Sequence, residues 1–236
     1  MRIQDIMKLF LPDQARTTYV VGTGPSLRCL PPDFFTDKFT IGLNQAYKRL
    51  RCHLSVTVHP ELVQEYEANF KLGQSPTRWV VKKKPPMAHL EIGDPRYYVF
   101  GTSYDLAAVR NRPKDTLYLG EGVQTCAMDL AARLGAKFIV LVGCDAACLE
   151  GDYHAHDQHV RWVGRTPEAQ YKLYRDSTAA VRRQLRGMGV SVMTLSPFIG
   201  ADAAAEDYRR LRGELGLYPL PPPKDISPKD WKPPKR

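Results

Sequence analysis

The groups in this chain best able to move a proton cluster at Tyr153-His154-Ala155-His156-Asp157-Gln158-His159. Three histidines within six residues suit transition-metal ligation, general-base work or an imidazolium contact to phosphate, because histidine titrates near neutrality without perturbation. No distant matched ligand set accompanies the HxH pattern, so a solvated polar loop is the competing reading.

A second chemistry, anion binding, is suggested where the apolar Tyr19-Val20-Val21 runs into Gly22-Thr23-Gly24-Pro25-Ser26-Leu27. Glycines let the backbone approach a ligand closely, and the amides of such a turn can point at a phosphate. The spacing is neither GxGxxG nor GxxxxGK[ST], so neither dinucleotide binding nor a Walker ATPase follows, and a plain strand-to-helix turn remains open. Further strand ends would add Asn44, from Gly42-Leu43-Asn44-Gln45, and His59, from Val58-His59-Pro60-Glu61. Asn44 serves equally as an N-cap for a helix over Gln45 to Arg51. Glu121 and Gly122 precede a helix whose amides can receive a ribose hydroxyl or a phosphate. Asp145, in Gly143-Cys144-Asp145, suits a strand-tip carboxylate for ribose, acceptor hydroxyl or metal, or else a turn cap. Arg175, Arg182 and Arg186 share one helical face, which reads as solvated surface or as a polyanion contact.

Positioning these groups requires short strands alternating with amphipathic helices, the pattern of a parallel sheet covered on its faces. The apolar, β-branched runs predict strands at Thr17 to Val21, Phe39 to Leu43, Leu54 to Val58, Phe138 to Val142 and Val190 to Thr194. Trp79 to Lys82 and Tyr97 to Phe100 are weaker strand candidates. Val123, Ala127, Leu130, Ala131 and Leu134 share a face, predicting a helix from Val123 to Leu134 stopped by Gly135. Pro167 suits the first turn of a helix running to about Arg186. Prolines and the KKKPP run make the stretch 73–120 read as irregular, a candidate lid.

Composition sets the outer bounds. The 236 residues suit one α/β domain over 1–218, and 43% hydrophobic with 25% charged residues excludes a wholly disordered or fibrous chain. Residues 219–236 hold seven prolines with five basic and two acidic side chains, which predicts an extended or disordered tail. No apolar run reaches the ~20 residues a membrane helix needs. Five cysteines without a CxxC pair argue against a disulfide framework or a zinc ribbon, so a reducing, cytoplasmic setting is expected. A net charge of +9 favours anionic partners such as nucleotides, nucleic acid or an anionic membrane surface.

The segments GTGPSL at 22–27, LNQAY at 43–47, VHPEL at 58–62 and GVQTCAMDLAARLGAKFIVLVGCDA at 122–146, with Tyr153, resemble the bacterial sialyltransferases of glycosyltransferase family 42. They are similar also to the related MptE-like, or 6-hydroxymethylpterin diphosphokinase-like, domain. The resemblance covers about three quarters of the chain. It implies a Rossmann-like, mostly parallel sheet with helices on both faces. It also implies that Gly22, Gly24, Ser26, Asn44 and Gly122 bind a nucleotide, and that Tyr153 stabilises a departing phosphate. Thr23, His59 and Glu121 depart from the residue types usual at those sialyltransferase positions, and the family's catalytic histidine has His156 and His159 as nearby candidates here, with Tyr171 or Tyr174 as the alternative occupants of its place.

The expectation is therefore a CMP-sugar-dependent glycosyltransferase, with catalytic candidates His156, His159, Tyr153 and Asp145. Nucleotide-binding candidates are Gly22, Thr23, Gly24, Ser26, Asn44, His59, Glu121 and Gly122. No cofactor or metal is required on this reading. The alternatives are a Mg2+·ATP-dependent diphosphokinase and an inactive nucleotide- or nucleic-acid-binding module. Partners in view are a nucleotide or nucleotide-sugar and an acceptor glycan, lipid or modified nucleic acid. A second copy of the chain is another, and the basic tail with Trp231 would meet the inner membrane face.

Overall fold

The structure is a computed structural model that describes residues 5–6, 16–24, 26–27, 30, 33–69, 78–82, 97–146 and 166–195. The strands are β1 (Thr17–Val21), β2 (Phe39–Leu43), β3 (Leu54–Thr57), β4 (Arg78–Lys82), β5 (Tyr97–Ser103), β6 (Thr116–Tyr118), β7 (Phe138–Val142) and β8 (Ser191–Thr194). The helices are α1 (Glu61–Asn69), α2 (Ala107–Asn111), α3 (Val123–Arg133) and α4 (Pro167–Arg186), with a 3-10 turn at Asn44–Lys48. The strands form one eight-stranded sheet in the order β6-β5-β4-β3-β2-β1-β7-β8. Every pairing between neighbours is parallel. This is the α/β, Rossmann-like architecture expected.

Alternation along the strands divides the core. Val20, Ile41, Val56, Val80 and Tyr98 share one cluster with Ala127, Leu130 and Ala131 of α3 and with Val181 and Leu185 of α4. Tyr19, Val21, Val140 and Val142 instead meet Leu27, Leu30 and Phe34. Trp79 and Val81 likewise meet Val63 and Tyr66 of α1. Both faces of the sheet are therefore covered, which is why the strands read as continuous apolar runs. The small side chains of Ala127 and Ala131 leave α3 buried on nearly every side, and it lies against β1, β2, β3, β6 and β7.

Helix ends follow the sequence signals. Gly135 takes φ +98 after α3, and Ala136 N–H returns to Ala131 O at 3.1 Å, satisfying a terminal carbonyl. Thr166 caps α4 by accepting from Ala169 N–H, with Pro167 at the first turn.

Two expectations are corrected. The stretch 73–120 is not a lid in its described part: β4, β5, α2 and β6 lie within it and build a wing of the sheet. The weaker strand candidates Trp79 to Lys82 and Tyr97 to Phe100 are β4 and the first part of β5; the loop-like Gly101-Thr102-Ser103 end of β5 and the three-residue β6 carry no strand signal of their own. The helix expected over Gln45 to Arg51 is the 3-10 turn instead. The tail at 219–236 lies outside the described residues. Among those residues, no helix is long and apolar enough to cross a membrane.

One buried ion pair ties α3 to this wing. Arg133 Nε and Nη2 donate to Asp129 Oδ1 and Oδ2 at 2.9 and 3.1 Å, with the side chains 6% and 0% exposed. Asp129 Oδ2 also accepts from Tyr118 N–H at 2.9 Å, and Arg133 Nη1 reaches Pro113 O at 2.9 Å. Asp129→Ala is expected to lower stability by about 3–5 kcal/mol, because it strands the Arg133 charge in the interior. Urea denaturation checks this, and adding Arg133→Met should recover part of the loss.

Candidate functional site

Strand register brings the expected site together. Val21 is level with Gly42 of β2 and Val142 of β7, so the three central strands end in one row. The chain steps outward from β1 to β6 and returns on the other side with β7, so the strand order reverses between β1 and β7. Open α/β sheets bind ligands outside the carboxyl ends of strands at such a switch point.

Here the two loops at the switch point are stitched together. Gly22 N–H donates to Val142 O at 2.8 Å and Gly24 N–H to Gly143 O at 2.6 Å, prolonging the pairing beyond the strands. Asp145, 2% exposed, completes the seam: Oδ2 accepts from Ser26 N–H at 2.7 Å and Oδ1 from the Ser26 hydroxyl. A Cβ at position 24 would stand 2.5 Å from Asp145 Oδ2 and 2.6 Å from Gly143 O, so close backbone approach requires glycine there. Gly143 takes φ +62 with Leu27 against it.

The first glycine loop is thus held by Asp145, and the donors of Ser26 are directed at that carboxylate. Between Gly22 and Gly24, both buried, Thr23 is partly exposed. Cys144, next to the seam, is buried, and burial, reinforced by Asp145, pushes its thiol up to about 12.

On β2 and β3 the rim is set by a side-chain lock. Asn44 takes φ 48, a left-handed conformation that asparagine tolerates better than most residues, and its Oδ1 accepts from the Thr57 hydroxyl at 3.0 Å. Thr57 Oγ1 in turn accepts from His59 N–H at 3.0 Å. Asn44 therefore stands partly exposed just past the end of β2, the strand beside β1, and it is not a helix cap. Behind it, Gln45 Nε2 and Lys48 Nζ grip the two oxygens of Glu65 on α1 at 2.7 and 2.6 Å. His59 is exposed, with Nδ1 3.1 Å from Glu61 Oε1.

The remaining wall comes from α3 and α4. Gly122 is the N-cap of α3, extended at φ −141 and without a side-chain cap. Gly120 N–H donates to Thr125 Oγ1 at 2.9 Å, and that hydroxyl donates to Gly122 O at 2.8 Å, fixing the turn. A Cβ at Gly122 would stand 3.2 Å from Tyr174 Cδ1, so the α4 tyrosine lies directly on this glycine. Gln124 Nε2 ties the helices by donating to Thr178 Oγ1. One residue after Tyr174, Arg175 Nη1 donates to Ala146 O at 3.0 Å. A single turn of α4 thereby touches both the residue before α3 and the loop after β7. Arg182 and Arg186 lie about 10 and 16 Å further along the helix axis, so the arginine face does not act as one patch at the rim.

Glu121 is exposed beside Gly122, and Tyr118 below it is raised above the usual phenol value by burial and then by Glu121, Cys126 and Asp105. Gly22, Thr23, Gly24, Ser26, Asn44, Gly122 and Asp145 share one rim, with His59 and Glu121 exposed on the elements that border it. Tyr153, His154, His156 and His159 lie outside the described residues. Among the described residues no group of three His, Cys, Asp or Glu side chains is arranged to hold a metal ion. The sequence reading missed Thr57 as the lock on Asn44; a small hydroxyl at a strand's last position carries no distinguishing signal. No family model matches the chain, and no curated protein matches it.

Gly24→Ala should destabilise the protein by about 1–3 kcal/mol through overpacking against the seam. Asp145→Ala should cost a similar amount, about 1–3 kcal/mol, by leaving the Ser26 donors unpaired. Thermal and urea unfolding of both variants measure the two effects.

Proposed function

We propose that this chain is a nucleotide-dependent transferase that seats its nucleotide's phosphate on the carboxyl rim of the sheet, at the switch point between β1 and β7. The observation that carries the reading is the convergence there of the glycine seam with the partly exposed Thr23, Asn44 and Gly122. The amides of Gly22, Gly24 and Ser26 are spent in the seam, so the rim offers the first-turn amides of α3, which have no side-chain cap, and one oriented carboxamide, groups that suit a phosphate or a base edge. The resemblance to family 42 sialyltransferases makes a CMP-type sugar donor the first choice, with transfer to an acceptor hydroxyl by inverting displacement. An alcohol is a weak nucleophile at neutral pH, so a base is needed, and His156 and His159 are the candidates for it. Tyr153 is the candidate donor to the departing phosphate. Asp145 and Ser26 serve on this reading by seating the glycine loop.

Calorimetry with CMP and with ATP, each with and without Mg2+, tests the proposal. CMP is expected to bind without Mg2+, and Asn44→Ala to weaken it by about 2–10-fold, the worth of one neutral hydrogen bond. ATP binding that needs Mg2+, with no CMP binding, would reassign the chain to the diphosphokinase alternative.

A further inference from the structure

We infer that Arg175 is the phosphate-binding cation of this rim. The inference rests on the nucleotide reading above and names the side chain that grips the phosphate.

Arg175 is held in place: Nη1 donates to Ala146 O at 3.0 Å, and Ala146 directly follows Asp145 in the seam, with φ 45. The guanidinium is thereby anchored beside the carboxyl end of β7. Its neighbour Tyr174 lies on Gly122, so this turn of α4 borders both the loop after β7 and the start of α3 at the switch point.

Its charge is unanswered within the described residues. A guanidinium carries five N–H donors, and the bond to Ala146 O is the one hydrogen bond that Arg175 makes there. Two carboxylates beside it are engaged elsewhere: Asp176, next in sequence, pairs with Lys172 at 2.7 Å, and Asp145, which precedes Ala146, holds Ser26. Arg175 is only partly exposed, so its charge is partly desolvated, and among the described residues no counter-ion meets it. That arrangement is costly unless an anion arrives. A planar fork with its remaining donors unused matches a phosphate, which accepts two parallel N–H bonds.

The test uses the full chain, Arg175→Gln and Arg175→Lys, titrated with CMP, cytidine and inorganic pyrophosphate. Arg175→Gln should weaken CMP and pyrophosphate by about 10–100-fold while leaving cytidine affinity unchanged. Arg175→Lys should lose less, because it keeps the charge and gives up only the fork. It also covers the case in which the Gln variant fails to fold. CMP and pyrophosphate binding that both variants leave unaltered, or a loss that extends equally to cytidine, would overturn the inference. A wild-type chain that binds pyrophosphate through Arg175 but neither CMP nor cytidine would retain the anion site and overturn the nucleotide reading. A wild-type chain that binds none of the three would overturn both.

Discussion

The geometry of the rim depends on one contact, the buried carboxylate of Asp145 against Ser26. Loops that leave a parallel sheet on either side of its switch point ordinarily diverge. Here two backbone bonds and one carboxylate close that gap, and glycine at positions 22 and 24 is what lets the chains come near enough. Sealing the gap moves the accessible surface outward. Thr23, Asn44, Gly122 and Arg175 retain exposure, while Gly24, Ser26 and Asp145 form the floor beneath them.

The same logic recurs wherever a polar group is buried near the rim. Thr57 orients Asn44, Gln124 joins α3 to α4, Gln45 joins the 3-10 turn to α1, and Asp129 with Arg133 joins α3 to β6. Each link spans two structural elements, the Asp129–Arg133 pair within α3 doing so through Tyr118 N–H and Pro113 O, so each restricts how one element sits on another. Buried polar groups are expensive unless satisfied, and satisfied ones specify a single arrangement. Apolar packing alone would hold α3 against the sheet without setting its rotation. The hydrogen bonds set it, and with it the direction in which Gly122 faces.

Much of this architecture was legible in the residues themselves. The runs Thr17–Val21, Phe39–Leu43 and Phe138–Val142 are apolar and β-branched enough to be strands on local grounds, and Gly135 and Pro167 mark helix ends by backbone chemistry. The wing from β4 to β6 was obscured because its strands are short, interrupted by glycine and separated by proline-bearing segments. The candidate site was legible as a set of strand ends, yet the division of labour within it was not. Asp145 reads as a ligand-facing acid until its partner is known, and that partner lies 119 residues away, where no periodicity connects them. Asn44 reads as a cap because the left-handed turn that excludes that role depends on Thr57 from another strand.

The strand order also bears on how the chain matures at the ribosome. β1 emerges early and finds β2 beside it, but the neighbour on its other side, β7, is made far later; at about 5–20 residues per second the 119 residues between Ser26 and Asp145 take on the order of 6–24 s to synthesise. Through that interval the nascent sheet carries an open edge along Tyr19, Val20 and Val21, the kind of unpaired apolar strand that invites association with other chains. The seam therefore waits for the C-terminal half of the chain, and a polypeptide released before β7 would have every strand from β1 to β6 and no carboxylate to hold Ser26.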